Sequence, residues 1–419
     1  MPRSSCRLPA LAGGSLAALL LGGSVAAQTA PQLPDGPGKQ IVQTVCTSCH
    51  DLARVTNAGY SLATWQNVIH MMVNVGAPLT DEQYNTVTTY LAAHFPEKPL
   101  PMAVVLPDKD IALDFKEWKL PTPGSRPHDP LATKDGYIYY TAHMASLIGR
   151  VDQKSGDIKE YPLPVPETGP HGLTTDKDGN IWFTANFKGY IGKLDPKTGK
   201  VTQYPLPDPA IRDPHTPLFD PKGILWFTAQ SGNVVGRLDP KTGDIKLTPS
   251  PTPKSQPYGL VINSKGIPFY CEFGSNKLAS IDPETLKITE YVLPNEKTRP
   301  RRIAITADDR IWYGDYSRGY LGVYDPKTGE AREWPSPGGP RSLPYGITAL
   351  DGVIWYNESG VRPNTLVRFD PKTEIFSSWA IPSGGGVVRN MMPTPDGKHL
   401  ALAESGVNMV GLVSIEKKN

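Results

Sequence analysis

The sequence predicts a chain of two unlike parts, a small all-α domain followed by an all-β seven-bladed propeller. Three observations predict it. Apolar residues recur at helical spacing between residues 64 and 95 and lose that period afterwards. A proline-rich stretch, PEKPLPMAVVLPDKD (96–110), then marks a change of composition. Beyond it, one unit of 43 or 44 residues recurs seven times.

The N-terminus sets the compartment. Arg3 and Arg7 precede a run of small apolar residues that closes on Val25-Ala26-Ala27. This pattern predicts an export signal over 1–27, cleaved after Ala27, and a periplasmic protein. Gly13, Gly14 and Ser15 interrupt the apolar run, which is short for a membrane span, and nothing after residue 27 could cross a bilayer. Cys6 leaves with the signal, so three cysteines remain in an oxidising compartment.

Residues 45–50 read VCTSCH. Cys46, Cys49 and His50 have the spacing of covalent haem attachment. The two thiols add across the vinyl groups, and the adjacent histidine ligates the iron from the proximal side. A zinc site would need a second ligand pair and a redox C-x-x-C a βαβ context. Only Cys271 is left over, and it is expected to be a free, buried thiol. In TWQNVIHMMVNVG (64–76), Trp65, Val68, Ile69, Met72 and Val75 share one helical stripe, with Met71 off it. In TDEQYNTVTTYLAAHF (80–95), Thr80 and Gln83 form a capping box, and Tyr84, Val87, Tyr90 and Leu91 make the buried face. Helix–CxxCH–helix–helix over residues 36–96 resembles a single-haem cytochrome c domain. The resemblance implies one covalent haem c per chain and electron transfer. That family's W-x6-M pattern, met here by Trp65 and Met72, implies Met72 as the distal ligand; His70, Met71 and Met102 stay as alternatives. Residues 97–113 are expected to be a stiff, extended linker.

The propeller is expected over 114–419. Its units begin at His128, His171, His215, Tyr258, Arg301, Tyr345 and Arg389, at steps of 43, 44, 43, 43, 44 and 44 residues. Asp152, Asp195, Asp239, Asp282, Asp325 and Asp370 keep step, each opening a turn that usually reads DPKTG. Four short strand candidates per unit are the mark of a propeller blade. DFKEWKLP (114–121) is expected to pair with the last strand, in MVGLVSIEKKN, and so close the ring. Trp182, Trp226, Trp312 and Trp355 recur at one point of the unit and are expected to pack between blades.

The starting residues should lie on the innermost strand, near the central channel. His128, His171, His215, Tyr258, Arg301, Tyr345 and Arg389 are cationic or hydrogen-bonding and never acidic, which predicts a pocket for a carboxylate or other anion. Planar polar side chains at a repeat position are the alternative. Three histidines on adjacent blades could also bind a transition metal, a reading that ranks lower because a whole blade's spacing sets them far apart for one ion. Glu272, Glu358 and Glu404 end their second strands, facing either the mouth or solvent.

PHGL, IWFTAN, YIGKLDPKTG and TQYPLP are similar to the repeats of virginiamycin B lyase (streptogramin lyase), over about residues 114–415. The resemblance implies a seven-bladed propeller and Mg2+-assisted β-elimination that opens a cyclic depsipeptide. Carried over residue by residue, it implies His171 as a substrate contact, Asp213 as the metal-holding acid and His215 as the proton shuttle. The glutamate that completes the family's metal site falls on Gln230, which weakens a site for a hard cation that relies on anionic oxygens.

Lys plus Arg number 43 and Asp plus Glu 41, and loss of Arg3 and Arg7 leaves 41 of each. That balance argues against nucleic acid or an anionic membrane as the main partner. Three function classes follow. The first is electron transfer by a haem domain with a propeller that binds an anionic ligand or a redox partner protein. The second is a lyase with an appended cytochrome, and the third a propeller that only docks a partner. An elimination has no use for an electron, which favours the first and third.

Overall fold

The computed structural model describes residues 33–48 and 50–418. The expected signal segment with Cys6, and Cys49 of the CxxCH motif, lie outside the described residues. Four helices come first: α1 (Lys39–Thr44), α2 (Ala53–Thr56), α3 (Leu62–Asn74) and α4 (Asp81–His94). Ser61 caps α3, and Thr80 and Gln83 make the expected capping box on α4. Trp65 and Ile69 of α3 pack with Val42 of α1, Val55 of α2, and Val87, Tyr90 and Leu91 of α4. No helix among the described residues is long and apolar enough to cross a membrane.

The proline-rich segment is extended but not free. Met102 bridges Arg362, and Leu106 and Ser378 exchange backbone hydrogen bonds at 3.2 and 2.9 Å. The segment therefore lies along the outer strand of the sixth blade (Ile375–Ala380) instead of spanning solvent. The first ring strand also starts earlier than expected, at Ile111.

Seven four-stranded antiparallel sheets form the ring. Ile111–Lys119 pairs with Met409–Lys417 from Ile111↔Lys417 to Lys119↔Met409, so chain segments from the two ends of the ring share one blade. Innermost strands touch all the way round, including Val388–Pro393 against Pro127–Ala132. The repeat tryptophans sit where expected: Trp182 packs on Leu225 and Phe227 of the next blade, and Trp355 on Leu400 and Leu402.

Every innermost strand slips register at the same place, as between Pro170 and Leu173 or Pro257 and Leu260. This bulge turns the channel residue inward and leaves one amide without a ladder partner. In five blades a side chain of the second strand supplies the partner; Gly314 and Ala403 hold that position in the fifth and seventh. Thr184 Oγ1 accepts from Gly172 N (2.9 Å) and donates to the carbonyl of His215 in the next blade (2.7 Å). Thr141 and Thr228 do the same with Asp129 N and His171 O, and with Thr216 N and Tyr258 O. Cys271 takes this role in the fourth blade. Its sulfur accepts from Gly259 N and donates to Arg301 O, both at 3.1 Å. Burial pushes its thiol up to about 12, so it stays protonated and able to donate. Cys271 is thus free and buried as expected, and it replaces a repeat threonine.

Glu272, Glu358 and Glu404 face neither the mouth nor solvent: all three are fully buried. Their register opposite Pro257, Pro344 and Val388 turns them into the blade, where serine hydroxyls donate to each, although Glu404 Oε1 stays without a partner. Ser250 and Ser275 donate to Glu272, Ser336 to Glu358 and Ser383 to Glu404.

Two stability tests follow from this packing. Thr184→Val orphans Gly172 N–H and the His215 carbonyl and is expected to cost about 1–3 kcal/mol per orphaned group in urea unfolding. Cys271→Thr, which restores the repeat hydroxyl, is expected to cost less than Thr184→Val. Burial raises Glu272 to about 7 from its ordinary 4.5. Its contribution is therefore complete below pH 4.5 and lost as pH rises through 7. Glu272→Gln is expected to gain in Tm over the parent between pH 4.5 and about 8.

Candidate functional site

A cavity of about 390 Å3 opens between the helices and the ring. Cys46, His50, Met71 and Met72 line it, with Trp65, Val68, Ile69, Val75, Leu79 and Leu91 as its apolar wall. Two elements bring the polar ligand candidates together: the short turn at Cys46–Ser48, which leads to His50, and helix α3. The Cys46 thiol is free, and burial raises it. His70 points elsewhere, its ring 4.4 Å from Tyr84, and Met102 is 84% exposed on the linker. Of the sulfur and imidazole alternatives to Met72, only Met71 shares the cavity. A free thiol, an imidazole and a thioether around an apolar slot are the donor set that covalent haem requires, so these residues fit that group.

The helices rest on one end of the ring. Asn67 Nδ2 donates to Gly406 O (3.0 Å) and Asn74 Nδ2 to Pro123 O (2.9 Å). At Gly124 (φ +66°) the backbone runs so close to α3 that a Cβ would lie 2.6 Å from Met71 N. A second cavity, of about 400 Å3, continues the first toward the ring and shares Tyr60, Val68, Met71, Arg126 and Arg389 with it.

The channel residues meet as expected. The rings of His128 and His171 lie 3.6 Å apart, His171 and His215 3.8 Å, and His215 and Tyr258 3.9 Å. Tyr258 and Tyr345 share a hydroxyl hydrogen bond of 2.7 Å, Arg301 covers the Tyr345 ring at 3.9 Å, and Arg389 Nη1 donates to the Tyr345 hydroxyl at 3.4 Å. Histidines of adjacent blades are therefore not too distant to share an ion, because the bulge tips them toward each other. Ligand atoms of His128, Asp129 and His171 all lie within 4.8 Å of one another. Arg302 crosses the channel, however, and donates to Asp129 Oδ1 at 2.7 Å, so this carboxylate is already matched by a cation.

Burial, aided by the neighbouring cations, holds His128, His171 and His215 well below the ordinary histidine value, so all three are neutral. Burial pushes the Tyr345 phenol up, but Arg301, Arg389 and Arg302 outweigh it and bring it to about 7. Burial and then Arg389 lower Arg126 to about 9, which leaves it charged at neutral pH.

The residues carried over from the lyase pattern are only partly assembled. His171 and His215 lie in the stack, and His215 Nδ1 is 2.9 Å from Thr216 Oγ1. Asp213 accepts hydrogen bonds from the backbone amides of Ser231 and Gly232, where it caps a turn. Sequence reasoning missed Arg126, Asp129, His143 and Arg302. Arg126 opens the unit two residues before the channel position, and Asp129 and Arg302 follow that position by one, where other blades hold Gly172, Gly259 and Gly346. His143 follows the second strand of its blade and lies 5.2 Å from His171, ring to ring. Comparing all positions of the unit, not the third alone, would have found them.

The virginiamycin B lyase family model matches residues 110–270. The structure is similar to virginiamycin B lyase from Staphylococcus aureus, with 26% identity and a TM-score of 0.66, covering 72% of this chain and 99% of that one. A streptogramin B lyase structure is 28% identical at TM-score 0.66, covering 73% and 98%. Kuenenia stuttgartiensis hydrazine synthase, 13% identical with a TM-score of 0.58 over 70% of this chain and 96% of that one, shares the fold alone. No curated protein matches the sequence. From Ile111 to Lys417, then, the chain is a virginiamycin B lyase-like seven-bladed β-propeller.

Proposed function

We propose that this chain is an exported c-type cytochrome, working in the periplasm, in which the helical unit carries one covalent haem and the propeller serves as its fixed platform. The observation that carries this is the single apolar cavity lined by Cys46, His50, Met71 and Met72. Haem bound there would supply one-electron chemistry. Cys46, with Cys49 of the same motif, would hold it through thioether bonds, and His50 would ligate from the proximal side. Met72, on the same face of α3 as the buried Trp65 and Ile69, would be the distal ligand. The apolar wall would exclude water and a redox partner protein would take or deliver the electron. Replacing Met72 with Ala is expected to abolish a low-spin His/Met absorption spectrum. An unchanged spectrum would move the ligand to Met71.

A second reading is an elimination of the streptogramin type, favoured by the similarity to the two lyase structures and by neutral His215 and His171 in the channel. Against it stand Gln230, the engagement of Asp213 with two backbone amides, and the helices seated over the same end of the ring. Incubation with a streptogramin B depsipeptide and Mg2+, followed by chromatography, is expected to show no ring opening. Opening that disappears in His215→Ala would establish the lyase and leave the haem unit an accessory.

A further inference from the structure

We propose that Arg126 and Arg389 of the propeller form a carboxylate-binding site facing the cleft, and that it takes the propionates of haem held by the helical unit. The inference rests on the haem reading above and adds that the ring completes the haem site.

Both arginines line both cavities, so they stand where the space beside α3 meets the ring. They come from different blades, one just before Pro127–Ala132 and the other within Val388–Pro393. Among the described residues, neither has an ion pair with a carboxylate. Asp129, close by in the channel, is engaged by Arg302, and Glu97, which also lines the second cavity, pairs with Arg362. Arg389 Nε is buried without a hydrogen-bond partner. Two guanidiniums brought together in a half-buried cleft repel each other, and an anion between them relieves that repulsion. Porphyrin carries its two propionates on the side away from the thioether edge. Cys46, His50 and both arginines line the same cavity, which continues toward the ring, so carboxylates on the far edge of a haem held there would share that space with the two cations. Planar carboxylates suit the paired N–H donors of guanidinium.

Fixed cations beside the propionates favour the reduced haem, which carries one more negative charge. The test uses the full-length holoprotein. Haem content is measured first, by mass and by the pyridine haemochrome spectrum, because a parent without attached haem overturns the underlying reading and not this inference alone. With haem attached, Arg126→Gln and Arg389→Gln are each expected to lower the midpoint potential, shifting the oxidised-to-reduced ratio about tenfold, or 59 mV for one electron. The potential of each variant should also gain a pH dependence as a released propionate titrates, a change that mere loosening of the fold would not produce. Lys200→Gln, on an exposed outer turn, should do neither. Arg54 also lines the first cavity from the helical side. Unchanged potentials in both propeller variants, or a shift confined to Arg54→Gln, would overturn the proposal.

Discussion

The ring depends on one small relay. In five of the seven blades a hydroxyl, thiol or amide on the second strand closes that blade's bulge, and in four of these it also grips the next blade's channel residue. The fifth and seventh blades keep the bulge with Gly314 and Ala403 at that position, so what the relay adds is the grip on the following blade. Straightening of the bulge would turn the channel side chains by one position and dissolve the stack of His128, His171, His215 and Tyr258. Contact between blades and the hold on the channel residues are consequences of the same hydrogen bonds.

The channel so built is positive without being a cation trap. Its histidines are neutral because burial and nearby guanidiniums disfavour their charge. Its one well-placed carboxylate, Asp129, is used to bolt the first blade to the fifth through Arg302. Positive potential is therefore left at the rim, where Arg126 and Arg389 meet the helices. The likeness to lyases covers the ring, and the seating of a helical unit on that rim is where this chain departs from a free propeller.

Blade count, ring closure and the capping of α4 were legible in the sequence, because each is written as a period or a short local motif. The position of Cys46, His50 and Met72 around one slot follows from the stripe on α3. Other features were hidden because they depend on which chain segments meet. Alternation along a strand tells which face Glu272 takes, but not that the neighbouring loop covers that face with Ser250 and Ser275. The threonine of W-F-T repeats visibly, yet its bond to the following blade crosses a gap of about thirty residues and carries no pattern of its own. Cys271 read as a leftover thiol for the same reason. The docking of residues 101–106 on the sixth blade was equally unreadable, since prolines predict extension and not a partner.

The shared blade also imposes an order on biogenesis. Ile111–Lys119 is made early and waits, unpaired, until Met409–Lys417 has been synthesised. The wall of the cleft beside Arg389 and Gly406 is made in the same late stretch. The helical unit, made first, thus spends most of the chain's synthesis with its cavity open on the side that the ring will later cover. Cys46 is reachable from that side in the interval, and closure of the last blade narrows the approach.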